Sequence, residues 1–278
     1  MTRSHTPTYD LALSDADYEP WKGPPERSIV ICSHPRSGST LLGEALYFSG
    51  DVGCPLEYLH RGFRPKLARM WGCLSLEDYV AEMHRRRTGP NGSFAIKLFW
   101  QDIEELAHEL APDHFPAPLT CALDEVASDH YQSLATLLAC ILPNPTFIHL
   151  ERRDRVRQAV SASTATQTGL WRSIPGVGPE GTARSADYDF DQIMATIALS
   201  DHCHSHWQRF FGANGISPIS LTYENLVDDY DDVTSALLVQ LGSITSKAPP
   251  RRMRRQSDHN SEAMVHQFLK DYAKRKSP

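Results

Sequence analysis

Residues 28–49 read SIVICSHPRSGSTLLGEALYFS. A short apolar run, Ile29-Val30-Ile31-Cys32, turns through Ser33-His34-Pro35-Arg36-Ser37-Gly38 into an apolar-periodic segment that starts at Ser39. That order predicts a strand, a tight polar loop and a helix. Such a loop aims backbone N–H groups and a helix N-terminus at one point, where an anion can sit. Arg36 adds a fixed positive charge there, and Ser37, Ser39 and Thr40 add hydroxyl donors. The bland alternative is an ordinary strand-to-helix turn with a polar, capped helix start. The loop has one glycine, Gly38, and no lysine, so it departs from the triphosphate-binding pattern G-x-x-x-x-G-K-[ST] and does not support magnesium-dependent triphosphate chemistry. A dinucleotide G-x-G-x-x-G is missing too.

The rest of the chain reads as α/β. Apolar, β-branched runs at 29–32, 94–99, 146–150 and 216–222 predict buried strands. Helical periodicity covers 75–87, 128–142, 154–168, 187–211, 231–241 and 258–272, and Ser75 with Asp78 forms a capping box at the start of the first of these. Alternating strands and helices imply a mostly parallel sheet flanked by helices, with ligands beyond the carboxyl ends of the strands. Residues 1–27 read as a polar N-terminal extension ahead of a domain over 28–278. Residues 173–186, rich in Gly and Pro, read as a long loop.

A second feature pairs with the first. In FIHLERRDRVRQAVS, residues 147–161, a strand ends near Arg153, and Ser161 follows eight residues later on a helix. HPRSGST resembles the loop with which sulfotransferases hold the 5′-phosphosulfate of 3′-phosphoadenosine 5′-phosphosulfate (PAPS). The Arg153/Ser161 segment resembles that superfamily's 3′-phosphate-binding strand-loop-helix. With FAIKLFW at 94–100, QTGLWR at 167–172, LTYENL at 221–226 and RRQSD at 254–258, the chain is similar to the bacterial Stf0 branch over about residues 28–272.

The resemblance implies a P-loop-like sulfotransferase fold, PAPS as co-substrate without a metal, and a hydroxyl of a sugar or glycolipid as acceptor. It implies donor-binding roles for Arg36, Ser37, Gly38, Ser39, Thr40, Arg153, Ser161, Tyr223, Arg254 and Arg255. Arg36 is then also catalytic, because charge grows on the bridging oxygen. Glu57, in the setting G-x-P-x-E-Y at 53–58, is the implied general base, with His60 as the substitute and a surface carboxylate as the bland alternative. An ATP-dependent phosphotransferase and a non-catalytic nucleotide-binding protein stay open as rival functions.

Charge and composition narrow the class. A net charge of −6 argues against general nucleic-acid binding. Against it stand two basic clusters, Arg152/Arg153/Arg155/Arg157 and Arg251/Arg252/Arg254/Arg255, most of which read as solvated faces, with two or three of the eight facing one phosphate as the functional alternative. Arg85-Arg86-Arg87 suits a helix C-terminus and reads as structural. No apolar run approaches the ~20 residues of a membrane span, and no apolar signal core opens the chain. The six cysteines show no C-x-x-C spacing, so a cytoplasmic, reduced protein is expected. A homodimer stays open.

Three further readings concern single residues. Lys97 interrupts an apolar strand and must reach the strand's end or meet an anion. Trp100 reads as packing. His34 reads as a loop donor. His202 and His206 share a helix face, but no third ligand accompanies them, so no metal is expected.

Overall fold

Alternate residues of the first strand serve two different cores. In the computed structural model, which describes residues 10–115, 126–171, 186–253 and 259–276, strand β1 (Arg27–Ser33) buries Ile29 and Ile31 on one side and Val30 and Cys32 on the other. β1 lies inside a parallel sheet with β2 (Ser93–Phe99), β3 (Pro145–Glu151) and β4 (Ile219–Thr222), in the order β2-β1-β3-β4. The chain moves outward from β1 to β2, then returns to β3 and β4 on the far side. The strand order therefore reverses between β1 and β3, and their carboxyl ends flank the crevice where open α/β sheets bind ligands.

Helix α1 (Ser39–Ser49) covers the Ile29/Ile31 face, joined by α8 (Tyr223–Asp228) and α9 (Tyr230–Gln240). The opposite face carries α2 (Arg64–Trp71), α3 (Leu76–Arg87), α4 (Trp100–Leu110), α5 (Ser128–Ala139) and α7 (Phe190–Ala213). A third cluster joins α6 (Arg155–Thr168) and α7 to α10 (His259–Lys276) through Val160, Ile193, Val265 and Phe268. The expected α/β class and parallel sheet are both present.

The expected elements appear with shifted ends, and among the described residues three α-helices are additional. Helices α4 and α8 start directly where β2 and β4 stop, with no polar spacer to announce them. Asp102 accepts from the Phe99 N–H at 3.3 Å, and Thr222 Oγ1 accepts from the Asn225 N–H at 3.2 Å, so each turn is capped locally. α2 is short, opens on Arg64-Pro65 and ends at Gly72, whose φ is 72°. β4 begins at Ile219 rather than at residue 216. Ile216 N still closes the end of α7 onto Phe211 O at 2.9 Å, and Pro218 has no N–H for a ladder.

Residues 10–26 are not a free tail. Leu11 and Ala16 enter the core. Tyr18 N and Trp21 N each donate at 2.8 Å to the carbonyls of Arg86 and Arg85. Arg87, wholly buried, donates to Leu11 O at 2.7 Å and Leu13 O at 3.0 Å, and pairs with Asp17 at 2.9 Å. The Arg85–Arg87 run is thus structural, as its place at the C-terminus of α3 suggested. Residues 1–9 and most of the 173–186 loop lie outside the described residues.

Candidate active site

The loop after β1 is held from the side by α6. Gln158 donates from Nε2 to Pro35 O at 3.0 Å and to Ser37 Oγ at 2.9 Å. The backbone turns through positive φ at Arg36 (66°) and Gly38 (88°) before α1 begins. Gly38 is demanded twice. Its φ suits glycine, and a Cβ there would lie 2.6 Å from Tyr223 Cδ2. Tyr223, the first residue of α8, therefore lies directly against this loop.

Arg36 crosses to the second loop region. Its Nε donates to Ser161 Oγ at 2.9 Å, and Nη1 donates to Trp171 O at 2.6 Å. Arg152 donates to Arg36 O at 3.3 Å and lies over the Tyr223 ring, 4.5 Å from its centroid. Burial, with the Arg152 charge adding to it, lowers the Arg36 guanidinium from its ordinary value. Arg36, Ser37, Gly38, Ser161 and Tyr223 are thus gathered at the crevice between β1 and β3.

Arg153 is exposed, and its backbone N–H and that of Asp154 both donate to the Glu224 carboxylate, each at 3.1 Å. The rest of that basic cluster is split. Arg155 pairs with Glu151 and Asp201, both at 3.0 Å, while Arg157 pairs with Asp154 at 2.6 Å and Glu262 at 2.8 Å. In the other cluster, Arg252 lies 4.1 Å from the Phe48 ring centroid. Arg254 and Arg255 lie outside the described residues.

Glu57 reaches the site by backbone pairing. The segment around it runs beside β2, with a bridge between Leu56 and Ile96 and a bond from Lys97 N to Leu56 O at 2.9 Å. Gly53, at φ 95°, lets the segment approach, since a Cβ would lie 2.8 Å from Ala95 N. Glu57 Oε1 then meets Lys97 Nζ at 2.7 Å, and Lys97 Nζ lies 3.4 Å from Thr40 Oγ1 in the first turn of α1. Lys97 has found an anion, and that anion is the candidate base. His60 is turned to its own loop: Nδ1 accepts from Gly62 N at 3.0 Å.

Trp100 is fully buried and stacked on His206, with centroids 5.1 Å apart, so it packs. His206 and His202 face each other at 3.0 Å, as their spacing suggested. His204 instead meets His149 at 3.1 Å, and with Glu151 these two bring ligand-type atoms within 4.8 Å of one another. Arg155 pairs with that glutamate at 3.0 Å. His34 is buried, with its ring centroid 6.4 Å from that of His204, and burial, with the Arg155 charge adding to it, pushes its imidazole down to about 4.

The sequence pointed to Arg152 only as one of a basic cluster and to Glu224 only as the neighbour of Tyr223, and Gln158 was missed. Gln158 had a signal: it stands three residues before Ser161, on the same helix face.

The profile of the Stf0 sulphotransferase family matches residues 28–271, a span that includes both loops, Glu57 and Lys97. The chain belongs to the Stf0 sulphotransferase family. Among curated proteins it is similar to a trehalose 2-sulfotransferase from Mycolicibacterium smegmatis, 29% identical over 277 residues, covering 89% of this chain and 96% of that protein. The trehalose 2-sulfotransferase of Mycobacterium tuberculosis is 26% identical over 269 residues, covering 87% and 94%. A solved sulfotransferase from Alicyclobacillus acidocaldarius aligns over 91% of this chain and 94% of its own, at 11% identity and a TM-score of 0.43. Stf0 membership makes this chain an enzyme of sulfuryl transfer.

Proposed function

We propose that this enzyme transfers the sulfuryl group of PAPS to a hydroxyl of a carbohydrate or glycolipid, without a metal. The observation that carries the reading is the Arg36–Ser161 contact at 2.9 Å. It joins the loop suited to a 5′-phosphosulfate to the helix suited to a 3′-phosphate, at the crevice where such sheets bind ligands. Arg153 and Ser161 are assigned to the 3′-phosphate, Ser37, Gly38, Ser39 and Thr40 to the 5′ side, and Tyr223, Arg254 and Arg255 to the nucleotide. The trehalose 2-sulfotransferases named above support a sugar as the acceptor.

In the reaction the acceptor oxygen bonds to sulfur and the bond from sulfur to the bridging oxygen breaks. Glu57 takes the hydroxyl proton. Arg36 stabilises the charge left on the bridging oxygen, which is larger in the transition state than in the bound donor. As in phosphoryl transfer, the protein's work is positioning and electrostatics.

Residues 28–278, with the segment 10–26 packed into their core, do this in a cytoplasmic protein. The free cysteines Cys32, Cys54, Cys73, Cys140 and Cys203 fit a reducing compartment. Among the described residues no helix is long and apolar enough to cross a membrane.

The test is incubation with ³⁵S-labelled PAPS, EDTA and a panel of sugars, trehalose included, and glycolipid extracts. Label should move to a carbohydrate-containing acceptor. Turnover of ATP with magnesium and no transfer from PAPS would contradict the reading.

A further inference from the structure

We propose that Lys97 is a positioning residue for the base: it holds Glu57 as an aimed carboxylate and ties it to the donor loop at Thr40. This inference rests on the reading of Glu57 as general base.

The strand gives no structural reason for a lysine. β2 is buried along its length, and Lys97 is 3% exposed. An ammonium in that setting is costly unless it is paired, and an apolar residue would serve the core equally well. Strand alternation fixes where it points. Ala95 packs in the cluster with Leu41 and Leu42 of α1, and Lys97, two residues on, shares that face. Its stem runs along α1: a Cβ placed on Gly43 would lie 3.7 Å from Lys97 Cδ and 3.3 Å from Pro55 O. The glycine thus leaves room for both the lysine stem and the segment that carries Glu57.

The head of the side chain then has two partners from two elements. Glu57 Oε1 is 2.7 Å away, and Thr40 Oγ1 is 3.4 Å away. Because Lys97 N also bonds Leu56 O at 2.9 Å, backbone and side chain of one residue grip two successive residues of the base segment. An ammonium at this distance favours the ionised form of a carboxylate.

A second carboxyl, that of Asp102, lies close enough to Glu57 for the two to repel. Asp102, at the start of α4, is buried, and burial, with Glu57 and Glu105 adding to it, pushes its carboxyl up to about 8 against the opposing pull of the Phe99 N–H and Arg61. Burial thus favours the protonated form of Asp102, and the carboxylate that meets Lys97 is that of Glu57. Lys97→Met or Lys97→Gln would take from Glu57 the cation that meets its Oε1 at 2.7 Å.

The test is the pH–rate profile of the full chain with PAPS and a verified sugar acceptor, for wild type, Lys97→Met, Lys97→Gln, Lys97→Arg and Glu57→Gln. Removal of the charge should move the acid limb upward by about one to three pH units, and Lys97→Arg should restore it toward wild type. A merely structural lysine would lower the active fraction without moving the limb. An unmoved limb in folded Lys97→Met and Lys97→Gln, with Glu57→Gln still disabled, overturns the inference alone. If Glu57→Gln keeps its turnover, the base assignment falls and this inference falls with it. If neither neutral variant folds, Glu57→Gln/Lys97→Met decides: recovered folding, read by thermal denaturation, supports the pairing, and continued misfolding overturns it.

Discussion

Arg36 and Ser161, 125 residues apart in sequence, meet at 2.9 Å, guanidinium Nε to hydroxyl oxygen. The contact makes the two anion-binding segments one unit, and it separates the roles of Ser161 and Arg153. Both Ser161→Ala and Arg153→Ala should weaken adenosine 3′,5′-bisphosphate much more than 5′-AMP, by about 1.5–3 kcal/mol for each lost charged hydrogen bond. Only Ser161→Ala should also lower kcat, because it removes one of the contacts that orient Arg36. Calorimetry with both nucleotides, beside steady-state kinetics, checks this; equal losses for the two nucleotides would refute the 3′-phosphate assignment.

Arg36→Ala should reduce kcat more than it reduces donor affinity. A preorganised donor aimed at developing charge is typically worth ~10²–10³-fold in rate. If the variant changes only the KM for PAPS, Arg36 anchors the ground state and nothing more.

Arg87→Met tests how the segment 10–26 is held rather than the site. The guanidinium is wholly buried against Asp17 and the carbonyls of Leu11 and Leu13. Removing one partner of a buried ion pair costs about 3–5 kcal/mol, so chemical denaturation should show a loss of that order, with activity per folded molecule retained. A loss within experimental error would mean that the contacts of Arg87 with Asp17, Leu11 and Leu13 contribute no stability.

Acid should destabilise the fold before most carboxylates titrate. Burial, with neighbouring cations adding to it, lowers His34 and His206 to about 4 and His204 to about 2, from an ordinary 6.5. Between 6.5 and 4 the unfolded chain binds protons that these imidazoles refuse, so their contribution is complete above 6.5 and falls as pH drops. Asp102 acts oppositely, holding a proton up to about 8 in the native state. Three groups outweigh one, each worth about 1.4 kcal/mol per pH unit. Urea midpoints at about pH 7 and about pH 5 should therefore fall with acidification; an unchanged or higher midpoint would contradict the histidine environments described above.

What the sequence revealed was local. The strand-loop-helix at β1 and the capping box, in which Asp78 N donates to Ser75 Oγ at 3.0 Å, depend on residues a few positions apart. α4 and α8 escaped notice because strand passes to helix without a spacer. Which arginine after β3 turns inward depends on the path of the chain there: Arg152 lies over Tyr223, while Arg153 is exposed. The Lys97–Glu57 pair was half legible. A lysine in a buried strand demanded an anion, but which anion depended on the 53–58 segment running beside β2. The meeting of His204 with His149 likewise joins a helix to a strand, and no spacing rule reaches that far.

The general base is the center of the mechanism, and Glu57→Gln tests it most directly, because it keeps the shape of the side chain and an acceptor for Lys97 while removing basicity. General-base assistance is typically worth ~10²–10⁴-fold. We expect kcat to fall within that range while adenosine 3′,5′-bisphosphate binds with near wild-type affinity. Turnover close to wild type, measured with a verified acceptor, would contradict the assignment of Glu57 and turn attention to His60.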